Sequence, residues 1–174
     1  AYAVRPASMT YGDAVPSLQF SGWGISGGWR EQDVKINPVA TTTATSQSGV
    51  GQYAIIGSGI TFTDNYALTV IQAPGNATAL TINPRAITIT ADALSRYYGD
   101  ANPALTYTVG GKGLVNGDTL SGALATSATV TSNVGDYAIT QGTLSGGSNY
   151  TLTYTGANLS VTPRPLTVTY TATP

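Results

Sequence analysis

The feature that most constrains this chain is Tyr11-Gly12-Asp13-Ala14-Val15-Pro16, because it returns as Tyr98-Gly99-Asp100-Ala101-Asn102-Pro103. In both places a Leu follows two residues after the Pro, Leu18 and Leu105. The same landmarks then follow in the same order. Val50-Gly51-Gln52-Tyr53-Ala54-Ile55 corresponds to Val134-Gly135-Asp136-Tyr137-Ala138-Ile139. Asn65-Tyr66-Ala67-Leu68-Thr69 corresponds to Asn149-Tyr150-Thr151-Leu152-Thr153, and Leu80-Thr81-Ile82-Asn83-Pro84-Arg85 to Leu159-Ser160-Val161-Thr162-Pro163-Arg164. An ordered series of this kind is an internal duplication, and it fixes a repeat architecture before any residue is interpreted alone. The first copy carries a few extra residues before Val50-Gly51. A few more lie around Gln72-Ala73-Pro74-Gly75-Asn76, which reads as a longer hairpin turn.

After Pro163-Arg164, the run Pro165-Leu166-Thr167-Val168 repeats Ala86-Ile87-Thr88-Ile89. The expected division is a divergent first repeat over 1–85 with a Trp-containing insertion, a second repeat over 86–163, and the first strand of a truncated third over 164–174. Copies that meet across Pro-Arg with almost no linker imply a head-to-tail rod. Pro84 and Pro163 stiffen each junction, since Pro fixes its own φ and holds the preceding residue extended.

The fold class follows from periodicity. Thr, Val, Ile and Tyr dominate the non-glycine positions and favour pleated strands. Ile87-Thr88-Ile89-Thr90, Leu105-Thr106-Tyr107-Thr108-Val109, Tyr150-Thr151-Leu152-Thr153-Tyr154 and Leu166-Thr167-Val168-Thr169-Tyr170 alternate apolar and polar residues, the period of a half-buried strand. Strands in the second copy are expected near 86–92, 104–109, 123–131, 136–141, 150–155 and 157–162. The segment Gly113-Leu114-Val115-Asn116-Gly117-Asp118, with Trp29-Arg30-Glu31-Gln32-Asp33 as its counterpart, reads as a single helical or irregular turn. The chain is therefore all-β, with tandem small immunoglobulin-like β-sandwich domains. The alternative is β-grasp-like repeats, if the Leu114–Asp118 turn extends into a packed helix.

Composition narrows the function. The 174 residues include no His and no Cys, only 9% are charged, and the net charge is −1. Seven scattered Lys and Arg make no basic patch, which disfavours nucleic acid and anionic membrane as partners. No apolar run reaches membrane-spanning length, so no membrane insertion by this segment is expected. Without His or a thiol, the usual general bases and nucleophiles at neutral pH are missing, and no other catalytic residues converge by motif. No enzyme activity and no cofactor are expected. The eight acids are spread along the chain, whereas a Ca²⁺ site needs six to eight clustered oxygens, so no metal site is expected either.

The order Ile-Thr-Ile-Thr-Ala, Tyr-Gly-Asp-x-x-Pro-x-Leu, Leu-Val-Asn-Gly-Asp, Val-Gly-x-Tyr-x-Ile, Asn-Tyr-x-Leu-x-Tyr, and a last strand ending in Thr-Pro-Arg resembles the bacterial MBG-type domain of the YGX kind. The related YDG-type repeat is similar. The resemblance covers 86–163 almost completely and 1–85 more loosely. It implies a non-catalytic repeat segment of a large bacterial surface or secreted adhesin, filamentous-haemagglutinin-like, that is extracellular and projects a binding region away from the cell.

Candidate sites are few. Tyr11-Gly12-Asp13 and Tyr98-Gly99-Asp100 read as structural turns in which Gly takes a conformation closed to other residues and Asp bonds the backbone nearby. The Tyr-Gly-Asp motif is expected to be the turn after the first strand. Tyr53 and Tyr137, each after Val-Gly, resemble the tyrosine corner of immunoglobulin-like sandwiches, whose hydroxyl bonds back to the chain. Trp23, Trp29 and Arg30 are the ligand-binding candidates. Both tryptophans fall where the second copy has Gly110-Gly111-Lys112-Gly113-Leu114, and flat indoles stack on sugar rings or anchor interfaces. The partners this suggests are a host glycan, a surface protein or neighbouring repeats of the same chain. The opposing reading is that the rings, Trp29 above all, plug the core of a longer loop.

Overall fold

The computed structural model describes residues 1–171. It is all-β, with two short 3-10 turns and no α-helix among the described residues. The chain forms two compact units, Ala1–Arg85 and Ala86 onward.

The first unit contains β1 (Tyr2–Val4), β2 (Ala7–Thr10), β3 (Phe20–Trp23), β4 (Val34–Thr41), β5 (Gly51–Tyr53), β6 (Ile56–Phe62) and β7 (Leu80–Asn83). They form a β1-β3 pair, a β4-β6 pair and a β2-β7-β5 sheet. The second unit contains β8 (Arg85–Ala91, which begins on the last residue of the first unit), β9 (Leu94–Tyr97), β10 (Tyr107–Gly111), β11 (Ala125–Thr126), β12 (Gly135–Thr140), β13 (Tyr150–Thr155) and β14 (Ala157–Thr162). Here a three-stranded sheet, β10-β8-β13, accompanies a four-stranded one, β11-β12-β14-β9.

The alternation behaves as the sequence pattern requires. Along β8, Ile87, Ile89 and Ala91 are buried while Thr88 and Thr90 face water. Leu159 and Val161 on β14 and Ile139 on β12 are also buried, so both sheets of the second unit supply its core. Ile55, Leu80 and Ile82 hold the matching places in the first unit. Each such side chain contributes roughly 1.5–3 kcal/mol on burial.

One strand in each unit was hidden from the sequence pattern. The chain changes sheets after β8. It breaks at Asp92-Ala93, where the Asp92 N–H donates to Thr106 O at 3.0 Å, and resumes as β9, parallel to β14. In the first unit the break falls at Arg5-Pro6, between β1 and β2, and β2 runs parallel to β7. The four-residue β9, Leu-Ser-Arg-Tyr, buries an Arg and shows no apolar alternation. The Tyr-Gly-Asp turn therefore follows the second strand of each unit, not the first.

Other elements also differ from expectation. The strand expected over 123–131 is reduced to Ala125–Thr126, and that over 104–109 lies at 107–111. Residues 65–69 form no strand, although their counterpart is β13. The stretch expected as a hairpin turn around Gln72–Asn76 leads into a 3-10 turn, Pro74–Thr78. Asn76 within it is buried and donates through Nδ2 to Tyr2 O and Gln72 Oε1, at 3.0 and 2.8 Å. Leu114–Asp118 is turn, without the packed helix that the β-grasp alternative required. Residues 165–168 carry no strand, and Leu166, Val168 and Tyr170 are 86%, 91% and 90% exposed. The remainder of that expected strand, 172–174, lies outside the described residues.

The tyrosine corners form in both units. Tyr53 Oη donates to Gly49 O at 2.8 Å and Tyr137 Oη to Asn133 O at 2.9 Å, each four residues back. Gly12 and Gly99 take φ of 84° and 85°, a region that costs a side-chain-bearing residue free energy. Gly12→Val and Gly99→Val should each destabilise their own unit by roughly 1–3 kcal/mol. Thermal unfolding followed by unit-specific probes checks this, and unchanged melting of both variants would remove the strained-turn account.

Candidate functional site

The Tyr-Gly-Asp turns are closed by a residue outside the motif. The backbone turn is local, with the Asp13 N–H donating to Thr10 O at 2.9 Å and the Asp100 N–H to Tyr97 O at 3.1 Å. The carboxylates also reach an arginine far along the chain. Asp13 Oδ1 accepts from Arg85 at 2.8 Å, and Arg85 also donates to Tyr11 O at 3.2 Å. Asp100 Oδ1 accepts from Arg164, whose Nε donates to Tyr98 O at 2.9 Å. The parallel ladders explain the meeting. β2 and β7 end side by side at Thr10 and Asn83, and β9 and β14 at Tyr97 and Thr162, so the residue after the next Pro arrives at the turn. The Arg85 side chain is only 12% exposed, whereas the Arg164–Asp100 pair is about half exposed and contributes about 1 kcal/mol or less. These arginines recur at the same place as the motif they serve. That co-recurrence was the available signal, and reading Pro-Arg only as a junction missed it.

A second site lies in the second unit alone. Arg96 on β9 is 7% exposed, and its partners among the described residues are neutral: Asn102 Oδ1 at 2.8 Å, Tyr97 O at 3.1 Å and Thr129 O. Asn102 Nδ2 in turn donates to Ala128 O at 2.7 Å. Aligned on the Tyr-Gly-Asp motif, Arg96 and Asn102 replace Met9 and Val15. Met9 is buried as well, so one repeat fills this place with an apolar pair and the other with a hydrogen-bonded polar one.

Both repeats share a phenol–carboxylate contact. Tyr66 Oη donates to Asp33 Oδ2 at 3.1 Å, and Tyr150 Oη to Asp118 Oδ2 at 2.7 Å. The Val115 N–H donates to Tyr150 Oη at 3.0 Å. This gives the Asp of Leu-Val-Asn-Gly-Asp a role: it holds the crossing segment to the Asn-Tyr landmark. Partial desolvation, then the hydrogen bond and charge of Asp33, push the Tyr66 phenol above its ordinary value. Desolvation does the same to Tyr154.

Of Trp23, Trp29 and Arg30, Trp29 alone lines the cleft of the first unit. Trp23 lies on β3 opposite Tyr2 and is 40% exposed. Arg30 is exposed and precedes the 3-10 turn Glu31–Asp33. Trp29, 37% exposed, packs edge-on to Phe62 with centroids 6.4 Å apart, and Phe62 continues to Tyr66 at 5.2 Å. These three rings line a cleft of about 350 Å³ bounded by Gly24–Gly28 on one side and Ala67–Ile71 on the other. Trp23 and Arg30 are not among its lining residues. Trp29 is thus half-way between the two readings of it, packed on one edge and open on another. Sequence reasoning missed Phe62 and Tyr66, which join it only through the fold.

Two outcomes test these assignments. Asn102→Val should cost about 2–4 kcal/mol by leaving a buried guanidinium short of an acceptor. Adding Arg96→Met, which rebuilds the first repeat's pair, should recover most of that loss in a chemical-denaturation double-mutant cycle. A phenol whose folded-state pKa is raised stabilises the fold fully below its unfolded pKa, and that contribution is lost as pH rises through the folded value. The first unit should therefore lose stability as pH climbs above 10.0, with Tyr66 ionising late, beside Tyr154, in a 295 nm absorbance titration and the late component reduced in Tyr66→Phe.

Residues 2–78 and 87–160 each match the family described as MBG domain (YGX type). No curated protein and no solved structure matches the chain. The two matches together span most of the sequence and fall on the two repeats that carry the Tyr-Gly-Asp turn, the tyrosine corner and the phenol–carboxylate contact. The chain belongs to the MBG (YGX-type) family, as two tandem copies of a repeat domain of surface proteins.

Proposed function

We propose that this chain is a non-catalytic stalk segment of a large bacterial adhesin, displayed at the cell surface or secreted, in which tandem MBG domains carry a binding region outward. The observation that carries the reading is the closure of each repeat on itself. The last strand lies parallel to the second, and the Arg beyond it is held by the Asp of the same repeat's first turn. A chain pulled from its ends then loads a ladder of parallel hydrogen bonds, which must shear together. Only Pro84 separates β7 from β8, so one repeat follows another without a linker. In this reading the repeats are immunoglobulin-like sandwiches in which the first strand is divided between two sheets. In the same reading, Leu166, Val168 and Tyr170, which are solvent-exposed, belong to an opening strand like that of the second repeat.

Force spectroscopy on the chain held at its two ends tests the stalk. Two unfolding events are expected, each releasing roughly 250–300 Å of chain, the extended length of one repeat less its folded span. Arg85→Ala should lower the force of one event only. A single smooth extension without discrete events would overturn the load-bearing reading.

A second reading has its own observation. Trp29 is partly exposed in a cleft of the first repeat, which favours recognition of a host glycan or surface protein by that repeat itself.

A further inference from the structure

The cleft of the first repeat identifies the kind of ligand it suits. Its lining holds no Asp, Glu, Lys or Arg side chain, and the one charged group on it, the Ala1 ammonium, donates to Gly24 O at 3.0 Å, which leaves little to pair a charged ligand. One wall is aromatic, with the partly exposed face of Trp29 backed by Phe62 and Tyr66. The Tyr66 hydroxyl is engaged by Asp33, which fixes the ring. Another part of the lining is bare peptide. Ile25, Ser26, Gly27 and Gly28 make no hydrogen bond within the protein among the described residues. A Cβ added at Gly24, Gly27 or Gly28 would meet no atom within 4 Å, so packing does not demand glycine at 24 or 28. The N–H and C=O of Gly24 pair with Ala1, at 3.2 and 3.0 Å, whereas glycine at 28 leaves peptide groups open to whatever enters.

An uncharged molecule with an apolar face and a rim of hydroxyls complements this arrangement. Its C–H face lies on the indole and its hydroxyls bond the exposed peptides. The volume of about 350 Å³ falls at the lower end of small-ligand sites, room for one or two hexose rings. The corresponding place in the second repeat is built differently. Its Gly110 and Gly111 are paired within β10, and β13 is hydrogen-bonded beside β8 where the first repeat leaves residues 65–71 without a strand. We propose that the first repeat binds an uncharged saccharide against Trp29 and the Ile25–Gly28 peptides. This rests on the second reading above and is independent of the stalk reading.

The test uses the full 174-residue chain carrying Trp23→Phe, which leaves Trp29 as the sole indole. Maltose, lactose, cellobiose and chitobiose are titrated against its emission, with N-acetylneuraminic acid as the charged control. The expected result is a saturable emission change with at least one neutral disaccharide and none with the acid. Gly28→Val, which grows into open space, should abolish the change while leaving thermal unfolding intact. Trp29→Leu, the residue of the second repeat at this place, should bind about tenfold more weakly by calorimetry, the loss of one stacked ring. No saturable change with any neutral disaccharide, undiminished binding in Gly28→Val, or preference for the acid would each overturn the proposal. The force response of the repeats would stand apart from all three.

Discussion

The parallel ladder between the second and last strands closes each repeat, and the rest of the structure depends on it. A parallel pair cannot be made by a hairpin; it needs the whole intervening chain to travel out and return. β7 reaches β2 only after the chain has built β3 to β6, and β14 reaches β9 only after β10 to β13. The ladder therefore has a large closure entropy to overcome, and buried residues on both of its strands offset it. Leu80 and Ile82 face Met9 in one repeat, and Leu159 and Val161 accompany Arg96 in the other. The exposed Asp100–Arg164 contact adds little free energy of its own. It seals the end of the ladder, where the last carbonyls would otherwise be open to competing water.

With the frame shared, divergence is concentrated in two places. At one, a polar pair stands for an apolar pair, Arg96 and Asn102 for Met9 and Val15. The polar solution is tolerable because every buried side-chain nitrogen and oxygen has a partner among the described residues. A buried pair of this kind also makes its strand a poor fit for a site lined with methylenes. In a tandem array of similar domains, that opposes exchange of strands between neighbours. At the other place, the first repeat gives up a strand and gains a cleft. It retains the phenol–carboxylate contact, so Tyr66 stays anchored even though the strand expected around it does not form.

Much of this was legible in the residues. The duplication, the all-β class, the glycine turns and the tyrosine corners all followed from local chemistry: strand periodicity, a position closed to side chains, a phenol at a set distance from a carbonyl. The missed strand β9 shows the limit. Leu94-Ser95-Arg96-Tyr97 has no apolar alternation because its buried member is an Arg, and only its acceptors reveal that the Arg belongs inside. The overestimated strand at 123–131 shows the converse, since small Thr, Ala and Val residues there fit a turn as well as a ladder.

Order along the chain was enough to establish repetition, family and strand chemistry, because each depends on neighbours a few residues apart. Which side chains meet across long separations was settled by folding. Arg85 finds Asp13, Tyr66 finds Asp33, and Trp29 finds Phe62 while leaving Trp23 and Arg30 outside. Those contacts depend on sheet exchange and strand register, which no local pattern encodes. The Trp-rich segment announced where the copies differ; the register of the strands around it determined which residues form the cleft.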